Sequence, residues 1–234
     1  MKYKRVMLKL SGEALMGERN NGIDPTVVKH VAEQIKEIRE RGVTVGIVIG
    51  GGNIFRGIVG ATKGMDRITA DHMGMLATLI NALALQDAIE HLGIPVRLLS
   101  GIDIQKIAES YVRRRAMAHL AKGRVIIFGA GTGNPFFTTD TAAALRAIEI
   151  EAEVILKATN VDGIYTADPK KESSARRFDH ISYQDVLEKN LKVMDGAAIA
   201  ICRDTGIPIF VFDMNKSGSL VAAVQGEALG TLVY

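Results

Sequence analysis

Tryptophan is absent from this sequence and aromatic residues make up only 5% of it, so the stacking platforms by which proteins grip single-stranded nucleic acid are missing. An excess of either charge is also lacking. Lys and Arg number 29 against 26 Asp and Glu, and a formal net charge of +3 is too weak a field to draw a polyanion by itself. Cys202 is the only cysteine, which excludes an intrachain disulfide and fits a reducing compartment, so a cytoplasmic location is expected. The charged start, with Lys2, Lys4, Arg5 and Lys9, reads as a short strand rather than a signal peptide. No apolar run reads as long enough to span a bilayer. Neither nucleic acid nor membrane is an expected partner, whereas small anionic ligands, nucleotides first among them, suit a mildly basic balance.

What the sequence does have is enough apolar residue, 47% of 234, to bury one large core. Short apolar runs alternate with helical segments along the whole chain. Strands are expected at Arg5 to Leu10, Val43 to Ile49, Val96 to Leu99, Val125 to Phe128, Val154 to Lys157 and Ile209 to Phe212. Between them fall a helix capped by Asp24 and Pro25 and ending at Gly42, a long helix from about Asp66 to Leu92, and helices at Tyr111 to Ala121 and Thr141 to Ile150. Two more are expected around Tyr183 to Asn190 and Gly196 to Thr205. The turn-rich, polar stretch from Asn160 to Arg177 reads as an excursion within the domain. This alternation predicts one α/β domain over residues 1–234, a mostly parallel sheet covered by helices on both faces.

In open parallel sheets ligands bind beyond the carboxyl ends of strands, where backbone N–H groups and helix N-termini favour anions. Four such ends stand out. Lys9-Leu10-Ser11-Gly12 puts a cation and a glycine at the first. Gly50-Gly51-Gly52-Asn53-Ile54-Phe55-Arg56-Gly57 follows the second, with glycines that permit a backbone nest and an Arg that can fork onto phosphate. The third, Gly129 to Asp140, supplies hydroxyls and amides before a helix start, and Phe136 and Phe137 are either core residues or an apolar wall for a base. Asp140, on the residues alone, reads first as a helix N-cap. The fourth runs from Lys157 through Thr159, Asn160 and Tyr165 to Asp168 and Pro169.

More familiar phosphate motifs fail on particular residues. Gly12 to Gly17 has P-loop glycine spacing, but Glu18 stands where lysine is required, and a carboxylate there repels phosphate. Asn134 replaces the third glycine of a dinucleotide fingerprint at Gly129-Ala130-Gly131.

Taken in order, Lys9 to Leu15, Gly50 to Gly57, Asp71-His72-Met73-Gly74, Gly131 to Asp140, Lys157 to Pro169, Leu191 to Asp195 and Phe212 to Asn215 resemble the bacterial uridylate kinases of the amino-acid kinase family. The resemblance spans the chain. It implies the amino-acid kinase fold, a three-layer αβα sandwich, and transfer of the ATP γ-phosphoryl group to UMP with Mg2+, in pyrimidine nucleotide (CTP) synthesis. It implies an N-terminal part mainly for UMP and a C-terminal part mainly for ATP. By carry-over Lys9, Leu10, Ser11, Gly12, Gly52, Arg56, Thr159, Asn160, Tyr165 and Asp168 face ATP. UMP is met by Gly51, Asp71, Thr132, Gly133, Asn134, Pro135, Phe136, Phe137, Thr138 and Thr139, with Asp71 accepting from ribose hydroxyls. Lys9 and Lys157 neutralise the transferring group and Asp140 orients them. Asn160 departs from the lysine of some relatives. The resemblance further implies a homohexamer activated by GTP and inhibited by UTP, with Gly17 to Asp24 similar to the segment tied to the GTP response. No direct metal ligand is assigned. Arg113-Arg114-Arg115 reads as a solvated basic face, or else as a subunit contact or effector site.

Overall fold

The computed structural model describes residues 1–56, 62, 64–167, 169, 171–172, 174–191 and 193–234. Strand β1 (Arg5–Leu10) runs into a 3-10 turn (Gly12–Leu15), and α1 (Pro25–Glu40) starts where Asp24 accepts a hydrogen bond from the Thr26 N–H at 2.9 Å. Next come β2 (Thr44–Ile49), the long α2 (Arg67–His91), β3 (Val96–Ser100), β4 (Glu109–Ser110), α3 (Arg113–Ala121) and β5 (Val125–Gly129). The second half holds α4 (Thr139–Glu149), β6 (Val154–Thr159), β7 (His180–Ile181), α5 (Tyr183–Glu188), α6 (Gly196–Thr205), β8 (Ile209–Asp213), α7 (Ser219–Gln225) and β9 (Thr231–Val233).

One nine-stranded sheet results, in the order β4-β3-β5-β2-β1-β6-β8-β9-β7, parallel except where β9 runs against β8. The central strands are apolar on both faces because helices cover both. Val6, Leu8 and Leu10 of β1 face one core with α1, α2 and α7, while Met7 faces a second core with α3, α4, α5 and α6. This is the expected αβα sandwich. Among the described residues it also contains short pieces that periodicity did not predict: the 3-10 turn, β4, β7, α7 and β9.

One expectation is corrected. Helix α2 is long and apolar enough, by length and composition, to cross a membrane, with a window of mean hydropathy 1.3. Its polar side chains are nevertheless put to use inside the fold: Thr78 and Asn81 are both buried, and Asn81 donates to the Gly50 carbonyl at 2.7 Å.

Candidate active site

Strand β1 lies between β2 and β6, which brings the first, second and fourth strand ends side by side; β5, beyond β2, adds the third. The β1–β6 register pairs Lys9 with Lys157. Paired residues on adjacent strands project to the same face, and here that is the face of Met7 and Ile155, the side covered by α4. Helix α4 enters there with Asp140 in its first turn, and the carboxylate bridges both cations. Lys9 Nζ lies 2.7 Å from Oδ1 and Lys157 Nζ lies 2.9 Å from Oδ2. Lys157 also donates to the Val193 carbonyl.

Desolvation by burial pushes the Asp140 carboxyl up, but the charges and hydrogen bonds of Lys9 and Lys157 outweigh it and leave the group below the usual carboxylate range. For Lys157, burial lowers the ammonium and Asp140 restores only part of the loss. The cluster therefore carries two cations and one anion in a partly desolvated place, where an electrostatic interaction is stronger than in water.

Asp140 is not the cap of its helix. Thr138 is, accepting from the Asp140 N–H at 3.0 Å, and α4 begins two residues earlier than periodicity indicated. The Thr138 hydroxyl in turn donates to Asp195, as does Thr141 at 2.9 Å, while Asp195 accepts from the Ala198 N–H at 2.9 Å and so caps α6. One carboxylate thus pins together the starts of two helices beside the cluster. Sequence reasoning did not assign Asp195 to the site. The available signal was its place immediately before the expected helix at Gly196.

Two cavities flank the cluster. The first, about 400 Å³, lies among Gly51, Arg56, Asp71, Thr132, Asn134 and Thr139. Its glycines are there for space: a Cβ on Gly51 would lie 2.8 Å from Ala77 Cβ and 2.9 Å from the Thr78 nitrogen, so only glycine lets the turn lie on α2. A Cβ on Gly12 would lie 2.8 Å from the Gly50 carbonyl oxygen and 2.9 Å from the Gly52 nitrogen. The turns are therefore packed against each other. Asn53 and Asn81 exchange amide hydrogen bonds at 3.0 and 2.7 Å, and Asn53 also holds the Gly22 carbonyl at 2.7 Å. The segment Gly17 to Asp24 is tied to the triple-glycine turn by that bond.

The second cavity, about 460 Å³, lies among Lys157, Thr159, Tyr165, Leu191, Val193 and Val211. Leu191, Val193 and Val211 form an apolar part of its wall. Its Tyr165 hydroxyl donates to Asp162 at 2.7 Å.

Several expected residues are placed differently from the simple assignment. Gly52 and Arg56 line the first cavity, together with Gly51 and Asp71, and Arg56 is paired with Glu13. Gly133 packs on Gly101 at a φ of +82° and does not line the first cavity, although Thr132 and Asn134 on either side of it do. Asn160 is exposed, lies 3.4 Å from Asn215, and lines a separate small cavity with Met214 and Asn215 rather than the second one. Asp168, Gly57 and Lys192 lie outside the described residues. Arg113 bonds the Glu149 carbonyl and Glu151, and Arg115 lies 3.8 Å from Glu109, so the basic run is partly neutralised within the chain.

Among the described residues no group of three His, Cys, Asp or Glu gathers closely enough to hold a metal ion alone.

A family model described as the amino acid kinase family matches residues 4–213. Among solved structures, a UMP kinase from Bacillus anthracis is 42% identical with a TM-score of 0.96, covering 100% of this chain and 96% of that one. A UMP kinase from Ureaplasma parvum is 40% identical with a TM-score of 0.94, covering 100% and 99%. A uridylate kinase from Archaeoglobus fulgidus is 30% identical with a TM-score of 0.76, covering 98% and 99%.

Proposed function

The chain belongs to the amino acid kinase family, and on that footing we propose that it transfers the γ-phosphoryl group of ATP to UMP, giving ADP and UDP. The observation that carries this reading is the Lys9–Asp140–Lys157 cluster between two cavities, each large enough for part of a nucleotide. Phosphoryl transfer needs positioning and charge stabilisation rather than a nucleophilic side chain. The UMP phosphate, with a second pKa of about 6, is largely dianionic at neutral pH and attacks without a general base. Lys9 and Lys157 meet charge on the transferring oxygens, and Asp140 keeps two like charges together in the absence of substrate.

The first cavity is assigned to UMP, with Asp71 toward the ribose and Thr132 to Thr139 around the base and phosphate. The second, with Thr159 and Tyr165, is assigned to the adenosine of ATP, and the Lys9 to Gly12 turn to its phosphates. Bound magnesium would neutralise charge on those phosphates. Gly52 and Arg56, which line the first cavity, are assigned to phosphate. The UMP and ATP parts then correspond broadly to the N-terminal and C-terminal parts of one domain.

A homohexamer, GTP activation, UTP inhibition and a cytoplasmic location complete the proposal. An exposed apolar stripe on α2, formed by Met73, Leu76, Ile80 and Leu83, supports self-association. The bond between Asn53 and the Gly17 to Asp24 segment gives an effector felt by that segment a route to the glycine turn.

A coupled assay of ADP release with UMP, CMP, AMP, N-acetylglutamate and no acceptor tests the reading. Release dependent on UMP is expected; release with N-acetylglutamate in its place would move the chain to a carboxylate kinase, and ATP binding without any turnover would make it a binding module.

A further inference from the structure

Asp71 is the residue on which acceptor recognition turns, and its carboxylate is already occupied. Arg67, one helical turn earlier on α2, directs its Nε–H at both oxygens, at 2.9 and 2.8 Å. The backbone N–H of Phe136 donates to Oδ2 at 2.7 Å. The Arg67 guanidinium also lies over the Phe136 ring, 5.2 Å from its centroid. Phe136 is 64% exposed and sits at a φ of +71°, a strained conformation for a non-glycine residue that persists only where the surroundings impose it. Asp71 from one side and Arg67 from the other impose it here.

An ion pair four residues apart on a half-exposed helix contributes little to folding, so the arrangement is better explained by what it holds in place. With Oδ2 committed to the Phe136 amide and Arg67 bridging, the carboxylate is fixed in one orientation at the wall of the first cavity, which Asp71 and Arg67 line. Resting on the assignment of that cavity to UMP, we propose that Arg67 is a positioning residue that pre-sets Asp71 and the Phe136 turn, and thereby sets the preference for an acceptor with a full set of ribose hydroxyls. Arg67 acts through Asp71, so its contribution belongs to acceptor binding and not to the transfer of charge. A deoxyribose acceptor gains less from a well-aimed carboxylate and loses less when the aim is spoiled.

Steady-state kinetics of wild type, Arg67→Ala, Arg67→Gln and Arg67→Lys with UMP and with 2′-deoxy-UMP, at saturating ATP, test this. For Arg67→Ala the KM for UMP is expected to rise roughly ten-fold or more, the scale of losing a hydrogen bond to a charged group, while kcat changes far less. The KM for deoxy-UMP rises less, so the preference between the two acceptors narrows. Lysine, which keeps the charge without the planar Nε–H, is expected to restore only part of it. Melting midpoints should stay close to wild type; were the alanine variant to fail to fold, the same comparison is made with glutamine, which is of similar reach. Equal KM changes for both acceptors, or a fall in kcat with KM unchanged, would overturn the inference while leaving the kinase reading intact. A wild-type chain that turns over neither acceptor would overturn both.

Discussion

Two lysines that share one carboxylate are stable together only while that carboxylate is charged. The linkage has a definite sign: Asp140 titrates lower in the folded chain than the ordinary 3.8 expected when unfolded, so its stabilisation is present above about pH 4 and is lost as pH falls through the folded value. Asp140→Asn leaves Lys9 and Lys157 facing each other without an anion, and is expected to cost roughly 3–5 kcal/mol, the scale for breaking a buried pair by removing one member. Denaturant melts from pH 7 to pH 3 check this: the gap between wild type and variant should hold steady near neutrality and narrow below pH 4. A gap that widened on acidification would contradict the assigned charge state. The single thiol, Cys202, is buried in the second core, and burial pushes it up to about 12.

At the scale of elements, the site depends on helix starts held by shared side chains. Asp195→Ala removes the cap of α6 and the partner of Thr138 and Thr141 on α4, so it is expected to cost about 0.5–2 kcal/mol from the lost cap and also to lower kcat. Ser182→Ala, which removes the cap of α5 from Asp185, is expected to cost similar stability without touching turnover. A matching loss of kcat in both variants would show that capping, and not the link to Asp140, is what matters. Much of this architecture was legible in the sequence, because β1, β2, β5, β6 and β8 are apolar runs that end in glycine, polar or charged residues. Lys9, Lys157 and Asp140 stand at strand and helix ends, but their positions alone gave no role, and it was the family resemblance that pointed to them. What was not legible is everything set by sheet order. No periodicity says that β1 lies between β2 and β6, and so none says that Lys9 faces Lys157, that Glu13 pairs with Arg56, or that Asn81, deep in α2, holds the Gly50 carbonyl. The two-residue strands β4 and β7 were too short for any pattern, and Thr138 was hidden as a cap by the stronger candidate two residues on.

For the whole molecule, α2 joins the proposed assembly to the site. Asp71, Thr78 and Asn81 on its inner side hold the Phe136 amide, the Ala130 amide and the Gly50 carbonyl, while Met73, Leu76, Ile80 and Leu83 lie exposed along its length at helical spacing. The double variant Leu76→Glu with Ile80→Glu is expected to sediment as smaller species than wild type, and an unchanged mass would place the subunit contact elsewhere. Loss of assembly should also raise the KM for UMP, because the same helix carries the proposed acceptor contacts. The account as a whole rests on two cations converging on one transferring phosphoryl group. Its most direct test follows label from γ-labelled ATP into UDP at saturating ATP and UMP, in wild type, Lys9→Met and Lys157→Met. Each variant is predicted to fold and to transfer roughly 10²–10³-fold more slowly, the scale of removing one preorganised stabilising group; labelled UDP formed at the wild-type rate by either variant would contradict it.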